Sequence, residues 1–290
     1  MQLENKIGLT VIILTFNEEL NLPYALDSVI GWADQVFVVD SFSTDGTLEI
    51  AKNYNVPVYQ NPWTDWATQR NWALSNLPVR NEWIFFLDAD EQVTRELKKE
   101  IEVKIKNASP EVAAYSVRQA FVFLGRYLKH AHDAPPLIRL VRRGRVKWFC
   151  KGAREYCEVK GKVKQLKHRL WHEDHKGISE WIQKQNLNAT REALAILNAQ
   201  NDIKEKKKIS AERPLRTWIR ENIYARLPRW LRPFFHFTYR YFLRMGFLDG
   251  YPGFVFCFLH AFWLPLLIDA KVYEIKRKNS RQKAFGAECT

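Results

Sequence analysis

The chain has 290 residues, 47% hydrophobic and 14% aromatic, with 45 Lys+Arg against 32 Asp+Glu and a formal net charge of +13. That is enough to bury a sizeable core, and it excludes a chain too small or too polar to fold around one. The charge is uneven: residues 201–290 hold 18 Lys+Arg against 8 Asp+Glu, so +10 of the +13 sits in the last 90 residues, which are also rich in Trp, Phe and Tyr. A basic aromatic tail on a more balanced body points to an anionic surface, membrane or nucleic acid. The cysteines Cys150, Cys157, Cys257 and Cys289 form no Cys-x-x-Cys pair. They carry no zinc signature and read as reduced thiols in a cytosolic compartment.

The N-terminal apolar stretch is too short and too β-branched for a signal peptide and reads as a first strand, Leu9–Leu14. Apolar positions at helical spacing follow over 20–31. Gln35–Val39 is a second strand, Asp45–Tyr54 a helix, Val56–Tyr59 a third strand, 65–77 a helix and Trp83–Leu87 a fourth strand. Strands alternating with helices of this length mean βαβ units and a mostly parallel sheet. Runs such as VIIL and WIFFL are apolar throughout, as expected for strands covered on both faces.

Residues 92–106 form a charged amphipathic helix. Short strands are expected at 113–122, 137–142 and 155–159, and a helix at 178–198. Lys204–Lys208 is a polar boundary. Beyond it, Pro214–Leu227 and Trp230–Met245 interleave Arg with aromatics on helix-length segments. Tyr251–Ile268 is the most apolar stretch, with Pro252, Gly253, His260 and Pro265 expected to interrupt it. A bilayer span needs about 20 apolar residues. The stretch therefore reads as a segment dipping into one leaflet or packing on amphipathic helices, with a buried helical hairpin as the alternative.

In open α/β sheets, ligands bind beyond the carboxyl ends of the strands. Three such ends carry polar clusters: Thr15-Phe16-Asn17-Glu18, Asp40 through Gly46, and Asp88-Ala89-Asp90-Glu91. Asp88 and Asp90, at i and i+2, project to one face of an extended backbone. Two adjacent carboxylates repel unless a cation joins them, and Mg²⁺ or Mn²⁺ suits oxygen ligands with room left for phosphates. A helix cap at Asp90 or Glu91 is the competing reading.

The run VIILTFNEELNLPYALDSV…ADQVFVVDSFSTDGTLEIAKNYNVPVY, with QRNWAL and WIFFLDADEQV, resembles the N-terminal half of glycosyltransferase family 2. Arg139-Leu140-Val141-Arg142-Arg143, Ala153-Arg154-Glu155 and Gly246-Phe247-Leu248-Asp249-Gly250 resemble, more narrowly, the bacterial lipopolysaccharide-core and exopolysaccharide subgroup. The resemblance implies an α/β GT-A fold and inverting transfer from a nucleotide-sugar, usually a UDP-sugar. It implies that Thr15 and Glu18 line the nucleoside pocket, that Asp40 bonds the base, and that Arg70 approaches the nucleotide. It places Asp88 near ribose and metal, has Asp90 ligate a divalent cation (Mg²⁺ or Mn²⁺), and makes Glu155 the catalytic base. Arg154, His172 and Arg139 are candidate contacts to acceptor or diphosphate. Two departures, Arg154 where the subgroup has His and His130–Pro136 where it has an aromatic-Pro-Asp pattern, fall on the acceptor side.

His168, His172 and His175 have no matching zinc-ligand pattern; a zinc site is the weakest reading, behind a contact from one of them, such as His172, to diphosphate or acceptor, or a solvated loop. The expected organisation is a catalytic domain over 1–205, with a nucleotide-sugar half to about 105 and an acceptor half after it. A basic aromatic membrane-associating region follows over 206–290. The expected acceptor is a lipid-linked saccharide, and the expected location is the cytoplasmic face of the inner membrane, peripheral or monotopic. A polyprenyl-phosphate transferase of the same fold is the alternative. A basic nucleic-acid-binding protein, which lacks a recognition motif here, or a non-catalytic protein is a third reading.

Overall fold

The computed structural model describes residues 6–151, 154–201 and 228–288. Two compact units emerge: Met1–Tyr127 with Asp133–Gly177, and Leu128–His132 with Ile178–Thr290. α5 (Gly177–Asn201), apart from its first residue, groups with the C-terminal unit. The expected boundary at Lys204–Lys208 and the helix at Pro214–Leu227 lie outside the described residues.

In the first unit, β1 (Ile7–Thr15), β2 (Ala33–Asp40), β3 (Val58–Gln60) and β4 (Trp83–Asp88) run parallel in the order β3-β2-β1-β4. The crossovers carry α1 (Leu22–Asp27), α2 (Thr47–Asn53) and α3 (Trp66–Asn76). Alternate strand residues feed two cores. Leu9, Val11, Ile13, Phe85 and Leu87 face one; Ile12, Leu14, Ile84 and Phe86 face the other. With both faces covered, a period of two cannot show as polar alternation, which is why the runs are continuously apolar. A fully buried side chain such as Phe86 contributes about 1.5–3 kcal/mol. Register aligns the functional ends: Thr15 pairs with Asp40, Asp40 with Gln60, and Leu14 with Asp88.

Past β4 the sheet becomes mixed. β8 (Leu137–Arg142) lies antiparallel between β4 and β6 (Val112–Phe123), and β6 pairs in parallel with β11 (Lys162–Glu173). β5 (Glu91–Gln92) closes the edge against β11, and β7 (Arg126–Tyr127) folds onto β6. Between β5 and β6 runs α4 (Arg95–Lys106), its first turn capped by Thr94, which accepts the Leu97 N–H. β9 (Val146–Lys151) and β10 (Arg154–Val159) form a separate two-stranded sheet. No period-2 pattern marks β11. Only Leu166 and Leu170, four apart among Lys and Arg, are fully buried there.

The second unit contains α5, the short helix Arg232–Thr238, a π turn at Tyr239–Leu243 and a 3₁₀ turn at Gly246–Asp249. Helix then continues from Gly250 through a π stretch, Cys257–Trp263, to Glu288. Gly246–Asn279 is a 34-residue helix long and apolar enough to cross a membrane by length and composition. The expected interruptions do not break it. Pro252 occupies the first turn, where a missing N–H costs no helical bond. Pro265 follows the π stretch, whose wider turn makes room for the proline ring against the preceding carbonyls. Gly253 is set by space, since a Cβ there would lie 2.5 Å from the Gly246 carbonyl oxygen. The Asp249 carboxylate, 2% exposed, accepts three successive backbone N–H groups, from Lys129 at 3.2 Å, His130 at 2.9 Å and Ala131 at 2.8 Å. Trp230, Phe234, Phe235, Phe242, Leu243 and Tyr251 are each more than half exposed.

Candidate active site

The loops after β1 and β2 lock together at the strand ends. Asp40 is fully buried and accepts from Thr15 Oγ1 at 3.0 Å, from the Ser43 N–H at 2.9 Å, from Gln60 Nε2 at 3.1 Å and from the Ser43 hydroxyl. A carboxylate offers about four lone-pair sites, so this one is saturated. Asn17 and Phe42 hold left-handed backbone, φ 54° and 63°. Asn tolerates that conformation; Phe42 does so at a cost, while its ring stays exposed. Glu18 accepts from Lys176 Nζ at 2.7 Å and Asn21 Nδ2 at 2.8 Å. Burial pushes its carboxyl above the usual range, against the pull of Lys176. Asn21 also donates to Asp174 at 2.9 Å, and His175 stacks on Tyr24 with ring centroids 4.1 Å apart. The end of β11 is thereby fastened to the loop after β1.

Asp88 sits between two buried arginines. Arg70 Nη2 donates to its Oδ1 at 3.2 Å, Arg139 Nη1 to the same oxygen at 3.2 Å, and Arg139 Nη2 to Oδ2. Burial alone would raise the Asp88 carboxyl, but Arg139 and Arg70 outweigh it and hold it below the usual carboxylate range. Glu91, fully buried, accepts from Arg139 Nη2 at 2.7 Å, from the Asp88 N–H at 3.0 Å and from Gln119. All three partners donate, which fits an ionised Glu91; burial pushes its carboxyl up and Arg139 pulls it back. Burial works against the charge on Arg139, but the flanking Asp88 and Glu91 raise its pKa further, so it remains a cation.

Asp90 points elsewhere and meets His172 Nε2 at 3.3 Å. The pairing follows from register, since His172 lies opposite Glu91 across β11 and β5. Burial would lower the His172 pKa, but the Asp90 carboxylate overrides it and raises it to about 9. Among the described residues no cluster of three or more His, Cys, Asp or Glu suits a metal ion. With Asp88 neutralised by arginines, the available donors are one carboxylate and one imidazole. The carboxylate suits a hard divalent cation that keeps most positions for phosphate and water, and the imidazole beside it suits Mn²⁺ better than Mg²⁺. A bound cation would displace the imidazolium proton. His168 and His175 do not join this pair: the His168 N–H donates to Glu100 at 2.9 Å, and the His175 N–H to Asn21 at 2.8 Å.

Glu155 arrives from the other sheet. It lies opposite Cys150 in the β9–β10 hairpin, and its Oε1 accepts from Arg70 Nε at 3.0 Å. The Gln69-Arg70-Asn71 triplet on α3 builds this junction. Gln69 Nε2 donates to Ser41 Oγ at 2.7 Å and to the Asn61 carbonyl at 3.0 Å. Asn71 grips the Trp148 backbone as a strand neighbour would, donating to its carbonyl at 2.8 Å and accepting its N–H at 3.0 Å. Helix α3 is started by Asp65, which accepts the Thr68 N–H. The Arg154 side chain lies outside what is described.

Among the described residues, four buried polar atoms have no hydrogen-bond partner: Arg70 Nη1, Arg139 Nε, His172 Nδ1 and His175 Nε2. Each such atom costs about 1–3 kcal/mol if left unpaired, so an acceptor beside the two arginine atoms would be stabilised. The arginine atoms can only donate, and an anion is the partner that fits. Gln119, Gln60 and Lys176 complete the network and escape sequence reading, because nothing in their spacing sets them apart from surface polar residues; Glu91, a helix-cap candidate in the sequence, instead pairs with Arg139, and Thr94 is the cap.

The carboxylates at the parallel strand ends, with Arg70, Arg139 and His172 brought to them from neighbouring elements, lie where open α/β sheets bind ligands. The model of glycosyl transferase family 2 matches residues 10–161, more than half of the chain, and the chain belongs to that family. It is 34% identical over 118 residues to an uncharacterized glycosyltransferase of Rickettsia typhi, covering 40% of each chain. It is 30% identical over 146 residues to the lipopolysaccharide core biosynthesis glycosyltransferase LpsC of Rhizobium meliloti, covering 48% of this chain and 53% of that one. The matches thus span about two fifths to a half of these curated relatives. Among solved structures, S. aureus TarS 1–349 in complex with UDP-GlcNAc superposes with a TM-score of 0.43 at 17% identity, covering 96% of this chain and 92% of that one.

Proposed function

We propose that the chain is an inverting transferase acting at the cytoplasmic face of the inner membrane. It moves a sugar from a nucleotide-sugar, a UDP-sugar, to a hydroxyl of a lipid-linked lipopolysaccharide or exopolysaccharide acceptor. The observation that carries this reading is the bridge Asp88–Arg70–Glu155, in which one guanidinium joins a donor-side carboxylate to a carboxylate from a different sheet. The nucleoside would lie at the loops after β1 and β2 beside Glu18, with the saturated Asp40 and its Thr15 partner shaping those loops rather than bonding the base as the sequence suggested. The diphosphate would meet the open donors of Arg70, Arg139 and His172. Asp88 serves it through the two arginines it holds. Asp90 and His172 would hold Mg²⁺ or Mn²⁺, which supplies positive charge to the leaving diphosphate. Glu155 takes the proton of the acceptor hydroxyl as that oxygen bonds to the anomeric carbon. The anomeric bond to the diphosphate oxygen breaks, and its electron pair leaves with the diphosphate. A single displacement inverts the centre. The exposed aromatics of the second unit, with Arg232, Arg240 and Arg244 among them, suit headgroup-level contact with an anionic bilayer.

Transfer from UDP-sugars to lipid-linked acceptors with Mn²⁺ or Mg²⁺ tests this. Asp90→Ala and Glu155→Gln should each lower turnover at least about 100-fold, and full transfer by both variants would remove the mechanism. Transfer to a polyprenyl phosphate that ignores Glu155 would select the alternative, in which the acceptor is already an anion. Flotation with anionic liposomes is expected. DNA binding without flotation would favour the nucleic-acid reading.

A further inference from the structure

Arg70 is spent in an unusual way. Its side chain is almost wholly buried, and the guanidinium lies 5.2 Å over the Phe86 ring, which fixes its plane. Three groups point three ways: Nε to Glu155 at 3.0 Å, Nη2 to Asp88 at 3.2 Å, and Nη1 to no partner. Asp88 is also held by Arg139, so losing Arg70 would not leave it alone. For Glu155, on a two-stranded hairpin outside the main sheet, Arg70 is the ion-pair partner from the donor side. The planar fork lets one side chain hold two carboxylates at fixed angles and still present a third edge.

The geometry points to Arg70 as the positioning residue for Glu155, coupling the placement of that carboxylate to the donor side. Nη1 takes an oxygen of the bound donor's diphosphate, and Nε then fixes Glu155 relative to the sugar that the diphosphate carries. This rests on the reading of Glu155 as the base. A lysine at this position keeps the positive charge for a diphosphate. It cannot span Asp88 and Glu155 together, because a single ammonium replaces three separated nitrogens.

The test uses the full chain with Arg70→Lys, Glu155→Gln and the double variant. UDP with Mn²⁺ is the binding probe by calorimetry, and turnover of a UDP-sugar accepted by the unaltered protein is the kinetic readout. Turnover is expressed per UDP-binding site, so misfolded material does not count. Arg70→Lys is expected to shift UDP affinity by less than about 3-fold while kcat falls at least about 10-fold, the scale of a misplaced reacting group. In the Glu155→Gln background, Arg70→Lys should then cost less than about 2-fold more, since nothing remains to position. An unchanged kcat in Arg70→Lys, or a full additional loss in the double variant, would overturn the coupling. Full activity of Glu155→Gln would instead overturn the assignment of the base. A crystal structure of Arg70→Lys with Glu155 undisplaced would also refute the positioning role.

Discussion

Asp249 offers the sharpest quantitative test of how the second unit is held. Its carboxylate accepts the N–H groups of Lys129, His130 and Ala131 at 3.2, 2.9 and 2.8 Å while 2% exposed. A hydrogen bond to a charged group contributes about 1.5–3 kcal/mol, and the three share one acceptor, so they do not add fully. Asp249→Ala should therefore cost the 128–132 segment about 3–5 kcal/mol of local stability. At about 1.4 kcal/mol per decade, that is at least roughly 100-fold faster amide exchange. Hydrogen–deuterium exchange on the full chain, read at Lys129, His130 and Ala131, is the assay. Asp249→Asn keeps one carbonyl oxygen and should fall between. If these amides stay as protected in Asp249→Ala as in the unaltered protein, the carboxylate is not what holds the loop. The Gly-Phe-Leu-Asp-Gly motif would then need another explanation.

Other outcomes follow from the first unit. Glu91→Gln leaves the buried Arg139 without one of its two carboxylates; breaking a buried pair costs about 3–5 kcal/mol, and a melting temperature that did not fall would contradict the network. Chelation should abolish turnover and added Mn²⁺ restore it, with His172→Ala needing at least about 10-fold more Mn²⁺; equal Mn²⁺ dependence would free His172 of that role. Burial works to raise the Asp45 carboxyl, but bonds from Thr47 and from the Glu19 N–H outweigh it and hold it below its ordinary value of 3.8. Its stabilising contribution is thus present above 3.8 and lost as pH falls through the lowered value. Urea titrations of Asp45→Asn should show a deficit at pH 7 that shrinks in acid, and a deficit that grew in acid would reverse the sign.

The donor half was legible because its strands are buried on both faces and end in polar clusters. Leu9–Leu14, Gln35–Val39 and Trp83–Leu87 all lie inside observed strands, and the expected gathering of Thr15, Asp40 and Asp88 appears as paired register. What the pattern hid was partnership. Nothing in the spacing of Asp88 and Asp90 says that two arginines from 70 and 139 neutralise one carboxylate and leave the other to a histidine. That histidine sits on β11, whose Lys-rich surface erases the strand period. In the apolar C-terminal stretch, prolines read as breaks; the first-turn place of Pro252 and the π turn ahead of Pro265 remove that conflict.

The Gln69-Arg70-Asn71 triplet also bears on how such a protein can diversify. Each of its residues grips a different part of the first unit: the loops after β2 and β3, the carboxylate pair, and the backbone of the hairpin. Inserting or deleting one residue between Asp65 and this triplet would turn it by about 100° and break all three grips together. Loops around the site can therefore lengthen, and side chains on the hairpin can change, without disturbing these grips. The length of this short helix is closed to gradual change, so new specificities should arise around it rather than through it.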